Sequence, residues 1–227
     1  MMQLAANLYL ETSLDGLNLG LIRTTKGLIA IDLPGTAAAA EAWAHQIHQR
    51  YRMPLRAIIL TDAHPDRIYA GPWFTAPVIS HDWTAAALTA HRKRPPPLLQ
   101  ERLQTARSSA EEALPHSEIS FSHRLALLIG DTEILLEHRP GPTPGNLVVR
   151  LPADGILFTG DLVQTAVPDP ARLLPEVDVG QWQHSLIQLA DSLQLADRLI
   201  TSRGAPADQT TAAAFAHNLA QLGQMDS

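Results

Sequence analysis

Thr61-Asp62-Ala63-His64-Pro65-Asp66-Arg67 follows directly on the apolar run Leu55 to Leu60. A short continuous apolar run bounded by turn residues reads as a strand buried on both faces. Open α/β folds place their chemistry at the ends of such strands. Three carboxylate or imidazole side chains and a guanidinium lie within those seven residues, so the stretch joins a clear strand end to a dense polar cluster.

Working outward, the segments Asn7 to Thr12, Asn18 to Thr24 and Gly27 to Leu33 read as strands, separated by Asp15-Gly16 and Lys26-Gly27 turns. Thr36 can cap a helix whose stripe runs Ala40, Trp43, Ala44, Ile47 and Tyr51, with Pro54 closing it. After the cluster, Ala76 to Ser80 suits another strand, and Asp82 can cap a helix starting at Trp83. Residues 83–115 read as two helices broken at Pro95-Pro96-Pro97. They form either a cover over a site, a binding surface or an outer layer.

The pattern then repeats. Leu125 to Ile129, Glu133 to Leu136, Leu147 to Leu151 and Ile156 to Phe158 read as strands, and a proline-rich loop spans Val167 to Asp178. A helix from Gln181 places Trp182, Leu186, Leu189 and Leu193 on one face. Arg198 to Thr201 is a last strand, and Asp208 can cap a final helix with Ala212, Phe215, Leu219 and Leu222 facing inward. Two sheet-plus-helix halves, about 1–82 and 118–227, joined by the helical segment 83–115, predict one α/β domain over residues 1–227. Its expected architecture is an αββα sandwich of two mixed sheets flanked by helices.

Composition narrows the function. The chain has 227 residues, 45% apolar and 18% charged, which is enough for a sizeable core. A net charge of −6 argues against a general electrostatic hold on nucleic acid or anionic membrane. The one basic run, His91-Arg92-Lys93-Arg94, reads as a solvated helix end. There is no cysteine, so any metal must rest on His, Asp or Glu. No apolar run approaches the length of a membrane span, and the start carries no signal-peptide pattern, so a cytoplasmic location is expected.

The polar strand ends, Asp62 to Arg67, Pro142-Thr143-Pro144-Gly145, Gly160-Asp161 and Ser202-Arg203-Gly204, resemble in order and surroundings those of the metallo-β-lactamase superfamily. The phrases Gly141-Pro142-Thr143-Pro144-Gly145-Asn146-Leu147 and Ile156-Leu157-Phe158-Thr159-Gly160-Asp161 carry the likeness further. The resemblance implies a dinuclear site built from His-x-His-x-Asp-His and later His, Asp and His ligands. On those positions this chain keeps His64, Asp66 and Asp161. It has Asp62 and Arg67 for the outer histidines of the first motif, Pro142 at the third histidine position and Arg203 at the last. Only residues 162–202 separate Asp161 from Arg203, leaving no room for the insertion of the superfamily's nucleases.

Proline has no side-chain donor and a guanidinium stays protonated, so neither ligates a metal. The half of the site implied for Asp66, Arg67 and Arg203 is therefore expected to hold salt bridges, or an anion, in place of its metal. Asp62, His64 and Asp161 can be read as a hydrogen-bonded network or as a residual site for one Zn, Mn or Fe ion. The first reading predicts a non-catalytic protein without a cofactor, binding a protein partner, its own copy or a small anionic ligand. The second predicts a mononuclear hydrolase of an ester, thioester or lactam-like bond. His81, His123, His138 and His184 lie off the motif and read as surface or hydrogen-bonded histidines, with His138 near the strand end that leads to Pro142. Ser202 and Thr159 lack a recognisable general base and are not expected to act as nucleophiles.

Overall fold

A computed structural model describes residues 1–164 and 177–225, with side chains described through residue 219. The expected proline-rich loop lies, up to residue 176, outside the described residues, as does the side chain of Leu222.

Seven strands form the first sheet in sequence order: β1 (Met2–Ala5), β2 (Leu8–Glu11), β3 (Leu19–Thr24), β4 (Gly27–Ile31), β5 (Leu55–Ile59), β6 (Val78–His81) and β7 (Ser117–Phe121). Its first four strands are antiparallel, and β4 to β7 run parallel. The second sheet has the order β12 (Arg198–Thr201), β11 (Ile156–Gly160), β10 (Leu147–Leu151), β9 (Thr132–His138), β8 (Arg124–Ile129). It is antiparallel except for the β11–β12 pair.

Alternation along the strands decides which layer each side chain enters. In β4, Ile29 and Ile31 face the second sheet, where they meet a core that includes Leu136, Val149 and Phe158. Leu28 and Ala30 point the other way, into the core that α1 (Ala37–Arg50) covers with Trp43 and Ile47. On the far side of the second sheet, Trp182 and Leu186 of α5 (Val179–Ser192) and Phe215 of α6 (Gln209–Met225) close a third core over Val148 and Leu157. The result is the αββα sandwich of two mixed sheets.

Caps follow the expected chemistry at most helix starts. The Thr36 hydroxyl accepts from the Ala39 amide, Asp178 accepts from Gln181 and Asp208 from Thr211. The second helix is different. α2 spans Asp82–Lys93, and its cap is the ring of His81, whose Nδ1 accepts the Trp83 amide at 3.2 Å. Asp82 lies inside the first turn, where its charge suits the helix dipole. The Pro95-Pro96-Pro97 break separates α2 from α3 (Pro97–Ala106), and a short α4 (Ala110–Ala113) follows with a Ser109–Glu112 capping box. Among the described residues, no helix is long and apolar enough to cross a membrane.

The sequence reading omits β1 and β7. Both are edge strands with partly exposed, polar-interrupted sequences, and their pairing partners rather than their own periodicity make them strands.

Candidate functional site

Loops leaving the ends of β4, β5, β9, β11 and β12 meet at one end of the sandwich. Gly160 permits one of the close meetings. Its φ is +56°, and a Cβ there would sit 2.8 Å from the Thr61 hydroxyl. A side chain at 160 would push Asp161 away from the β5 end.

At the centre lies Arg67, only 1% exposed. Its Nη1 donates to Asp161 Oδ1 at 3.2 Å, and its Nη2 donates to Asp161 Oδ2, so the two groups pair end to end. Nε lies 3.0 Å from Asp62 Oδ1 and 3.6 Å from Asp66 Oδ1. That N–H is not aimed well enough at either oxygen to count as a hydrogen bond, so these are charge contacts. The Arg67 pKa is raised: burial opposes the charge, but Asp62, Asp161, Asp66 and Asp32 together outweigh it.

Each carboxylate has further partners. Asp62 is fully buried; its Oδ1 accepts the His64 amide at 2.9 Å, and its Oδ2 accepts the Thr143 hydroxyl at 3.2 Å. Asp161 also accepts from the Ser202 hydroxyl. Its burial would raise its pKa, but the Arg67 charge and hydrogen bonds and the Ser202 bond hold it below the usual carboxylate range. Asp66 accepts from His64 Nδ1 at 2.7 Å and from Arg203 Nη2. Burial of Asp66 works against its charge, yet the His64 bond and the Arg67 charge hold its carboxyl well below the usual range.

His64 answers to the same pairing. Burial disfavours its charge, but its hydrogen bond to Asp66 and the charges of Asp66 and Asp62 prevail and raise its pKa. Arg203 sits at the rim, its side chain 48% exposed. Both its terminal nitrogens are engaged, Nη2 with Asp66 and Nη1 with the Asp15 carbonyl at 2.9 Å.

The structure therefore brings Asp62, His64, Asp66, Arg67, Asp161 and Arg203 into one network, with Pro142 on the neighbouring loop. One expectation changes in detail. The sequence expects Arg67 and Arg203 to make salt bridges in the Asp66 half of the site; Arg203 does pair with Asp66, while the main partners of Arg67 are Asp161 and Asp62, so it reaches across both halves. Among the described residues, no group of three or more His, Asp or Glu side chains is arranged to hold a metal ion.

Two contributors escaped the sequence reading. Asp32, just past β4, is buried and accepts from the Thr61 amide at 2.7 Å and from the Thr61 hydroxyl. Burial pushes its carboxyl up to about 7 despite the Arg67 charge and these bonds. A carboxylate directly after an apolar strand was the available signal. Ser202, placed by the sequence at a polar strand end but given no partner there, holds Asp161.

The off-motif histidines also find places. His138 Nε2 donates to the Pro144 carbonyl at 2.8 Å, so it does reach the loop of Pro142. Its ring stacks on that of His81 at 3.6 Å with an interplanar angle of 13°. His184 bonds Gln188 within α5.

Next to the ionic network runs a larger apolar groove of about 730 Å³ between α2, the start of α3 and the 142–145 loop. His64 borders both this groove and a smaller polar recess of about 330 Å³ lined by Asp66, Asp161, Ser202 and Arg203.

Comparison with known proteins agrees with this architecture. A family model described as the metallo-beta-lactamase superfamily matches residues 15–195. Among solved structures, a metallo-beta-lactamase from Pontibacter korlensis aligns with TM-score 0.70 and 18% identity, over 96% of this chain and 98% of its own. A metallo-beta-lactamase family protein from Thermus thermophilus aligns with TM-score 0.74 and 21% identity, over 98% of this chain and 82% of its own. Metallo-beta-lactamase IND-7 aligns with TM-score 0.70 and 18% identity, over 96% of each chain. At these identities the structures speak to fold alone, while the family model spans most of the sequence. With its two mixed sheets, its flanking helices and its cluster at the strand ends, this chain belongs to the metallo-beta-lactamase superfamily.

Proposed function

We propose that this chain is a non-hydrolytic member of its superfamily, working by binding, in which a buried guanidinium stands where a metal would otherwise join the carboxylates. The single observation behind this reading is Arg67, which lies between Asp62 and Asp161 and engages both. The donor set does not fit a metal. Asp62 and Asp161 already face a fixed cation, and a metal drawn to them would sit against that charge at close range. The Nδ1 of His64 is taken by Asp66, and Pro142 offers no donor.

The arginines act as internal counter-charges rather than as an anion pocket. Arg67 is sealed from solvent, and Arg203 spends both terminal nitrogens on Asp66 and the Asp15 carbonyl. An incoming phosphate would have to displace bonds already made. A ligand therefore belongs in the open space beside the network.

Metal analysis of protein purified without chelator tests the reading. The expected result is protein free of stoichiometric zinc, manganese or iron, also after dialysis against excess metal. Stoichiometric metal, together with an ester, thioester or lactam hydrolysis that Asp161→Ala abolishes, would instead establish a mononuclear hydrolase.

A further inference from the structure

The groove of about 730 Å³ is an apolar space beside the network, and its walls come from four separate places in the chain, one of them the Ala63-His64-Pro65 stretch after β5. α2 supplies one wall. Its residues Ala86, Ala87 and Ala90 lie on the groove side, and small side chains there leave room that larger ones would fill. Pro96, Pro97 and Leu98 at the start of α3 supply the second, and the 142–145 loop supplies the third. Trp83, 62% exposed, stands among these residues.

The groove is held open by fixed parts. The Thr84 hydroxyl donates to the Gly145 carbonyl at 3.0 Å, and a Cβ at Gly145 would lie 2.4 Å from that hydroxyl, so loop and helix touch directly at one point. On the same side, His81 caps α2 while the stacked His138 ties down Pro144. Prolines on two walls restrict the backbone further. A cavity that needs no ordering on binding loses less affinity to conformational entropy.

Charge decides what such a cavity takes. Although 18% of the chain is charged, no Asp, Glu, Lys or Arg among the described residues lines this groove. The polar side chains among its lining residues are few, His64, His91, Thr84 and Thr143, and both threonine hydroxyls are already donated, to the Gly145 carbonyl and to Asp62. His64 Nδ1 is tied to Asp66, which leaves Nε2 as its ring atom for a ligand. A preformed apolar pocket with a few convergent polar groups is the usual form of a small-molecule site.

We propose that this groove binds an uncharged, mainly apolar small molecule, its body against Trp83, Ala87, Leu98 and Pro142 and a single polar group directed to His64. This deepens the binding reading given above and rests on it. An ionic ligand would lose its hydration at these walls, and the charge that His64 can carry is already met by Asp66.

The neutral probe N-phenyl-1-naphthylamine, which brightens in apolar surroundings, tests the site on the full chain. Saturable one-to-one binding is expected. The anionic analogue 8-anilinonaphthalene-1-sulfonate should bind at least about tenfold more weakly. Ala87→Phe fills the groove and should abolish probe binding with the circular dichroism unchanged. If that variant does not fold, Trp83→Ala at the exposed rim should still weaken binding at least about fivefold. Ile187→Ser on the exposed side of α5 should change nothing.

Equal or tighter binding of the anionic probe, or full binding by both groove variants, would overturn the proposal. So would an Ala87→Phe variant that changes the oligomeric state but not probe binding, since the groove would then be a contact between copies. Assaying metal in the same preparations separates the two readings. Metal-free protein with no saturable probe binding overturns the groove proposal alone, whereas metal-loaded protein that takes the probe with these variant effects overturns only the non-hydrolytic reading.

Discussion

Arg67 and Asp161, ninety-four positions apart, pair end to end through two nitrogens and two oxygens inside the protein. The pair joins the end of the first sheet to the end of the second. Asp62 faces the same guanidinium and the adjoining Asp66 pairs with Arg203, so two guanidiniums, with Arg67 the buried one, hold the strand-end cluster together.

Replacing Arg67 should therefore cost more than a surface charge would. Arg67→Met leaves buried carboxylates without their main counter-charge, and about 3–5 kcal/mol of stability should be lost at neutral pH. Asp66 and Asp161 have lowered carboxyl pKa values. Their contribution is present above the unfolded carboxylate pKa and is lost as pH falls below it. The deficit of Arg67→Met should accordingly shrink in acid, which urea denaturation across the acidic range would show. A constant deficit at every pH would contradict the ion-pair account.

His64 has the opposite sign. Its pKa is raised in the folded protein, so its pairing with Asp66 stabilises most below the unfolded histidine pKa and fades as pH rises through the folded value. The stability lost in His64→Gln should be larger in mildly acidic than in alkaline buffer. Thermal melts of both proteins across that window would check it.

His81 and His138 behave in reverse. Burial lowers both pKa values, most strongly opposed by His81's contact with the Ser122 carbonyl and His138's with Pro144. His123 disfavours their charge further, and each ring bears on the other. Folding therefore favours the neutral rings, and stability should fall as pH drops below the ordinary histidine pKa. His138→Phe keeps a flat ring on His81 but removes one titrating group. Its melting temperature should vary less with pH over that range than the parent's.

Asp32 gives a fourth test. Its carboxyl, pushed up to about 7 by burial, binds a proton in the folded state at pH values where the unfolded chain does not. That contribution makes stability fall as pH rises from about 4 toward about 7. Asp32→Asn removes this slope, and by weakening acceptance from the Thr61 amide and hydroxyl it should cost about 1–3 kcal/mol. Denaturation at several pH values separates slope from offset.

Local pattern was enough for much of the architecture. The run ending at Leu60, the stripe of α1 and the caps at Thr36 and Asp208 each follow from neighbours within a few residues. Where pairing or packing decides, local pattern was insufficient. β1 and β7 become strands through their partners, and α2 is capped by His81 because that ring is turned back over Trp83.

The candidate site divides in the same way. From residue chemistry alone, Pro142, Arg67 and Arg203 could be read as unable to ligate a metal, and the order of the polar strand ends indicated the superfamily. Which carboxylates Arg67 meets, that Asp32 and Ser202 join the network, that His81 and His138 stack, and that an uncharged groove opens beside His64 were decided by the tertiary structure. The physical reason is range: side-chain chemistry and strand or helix period act over a few residues, whereas these contacts depend on the register of two sheets and on loops that meet only once both are packed.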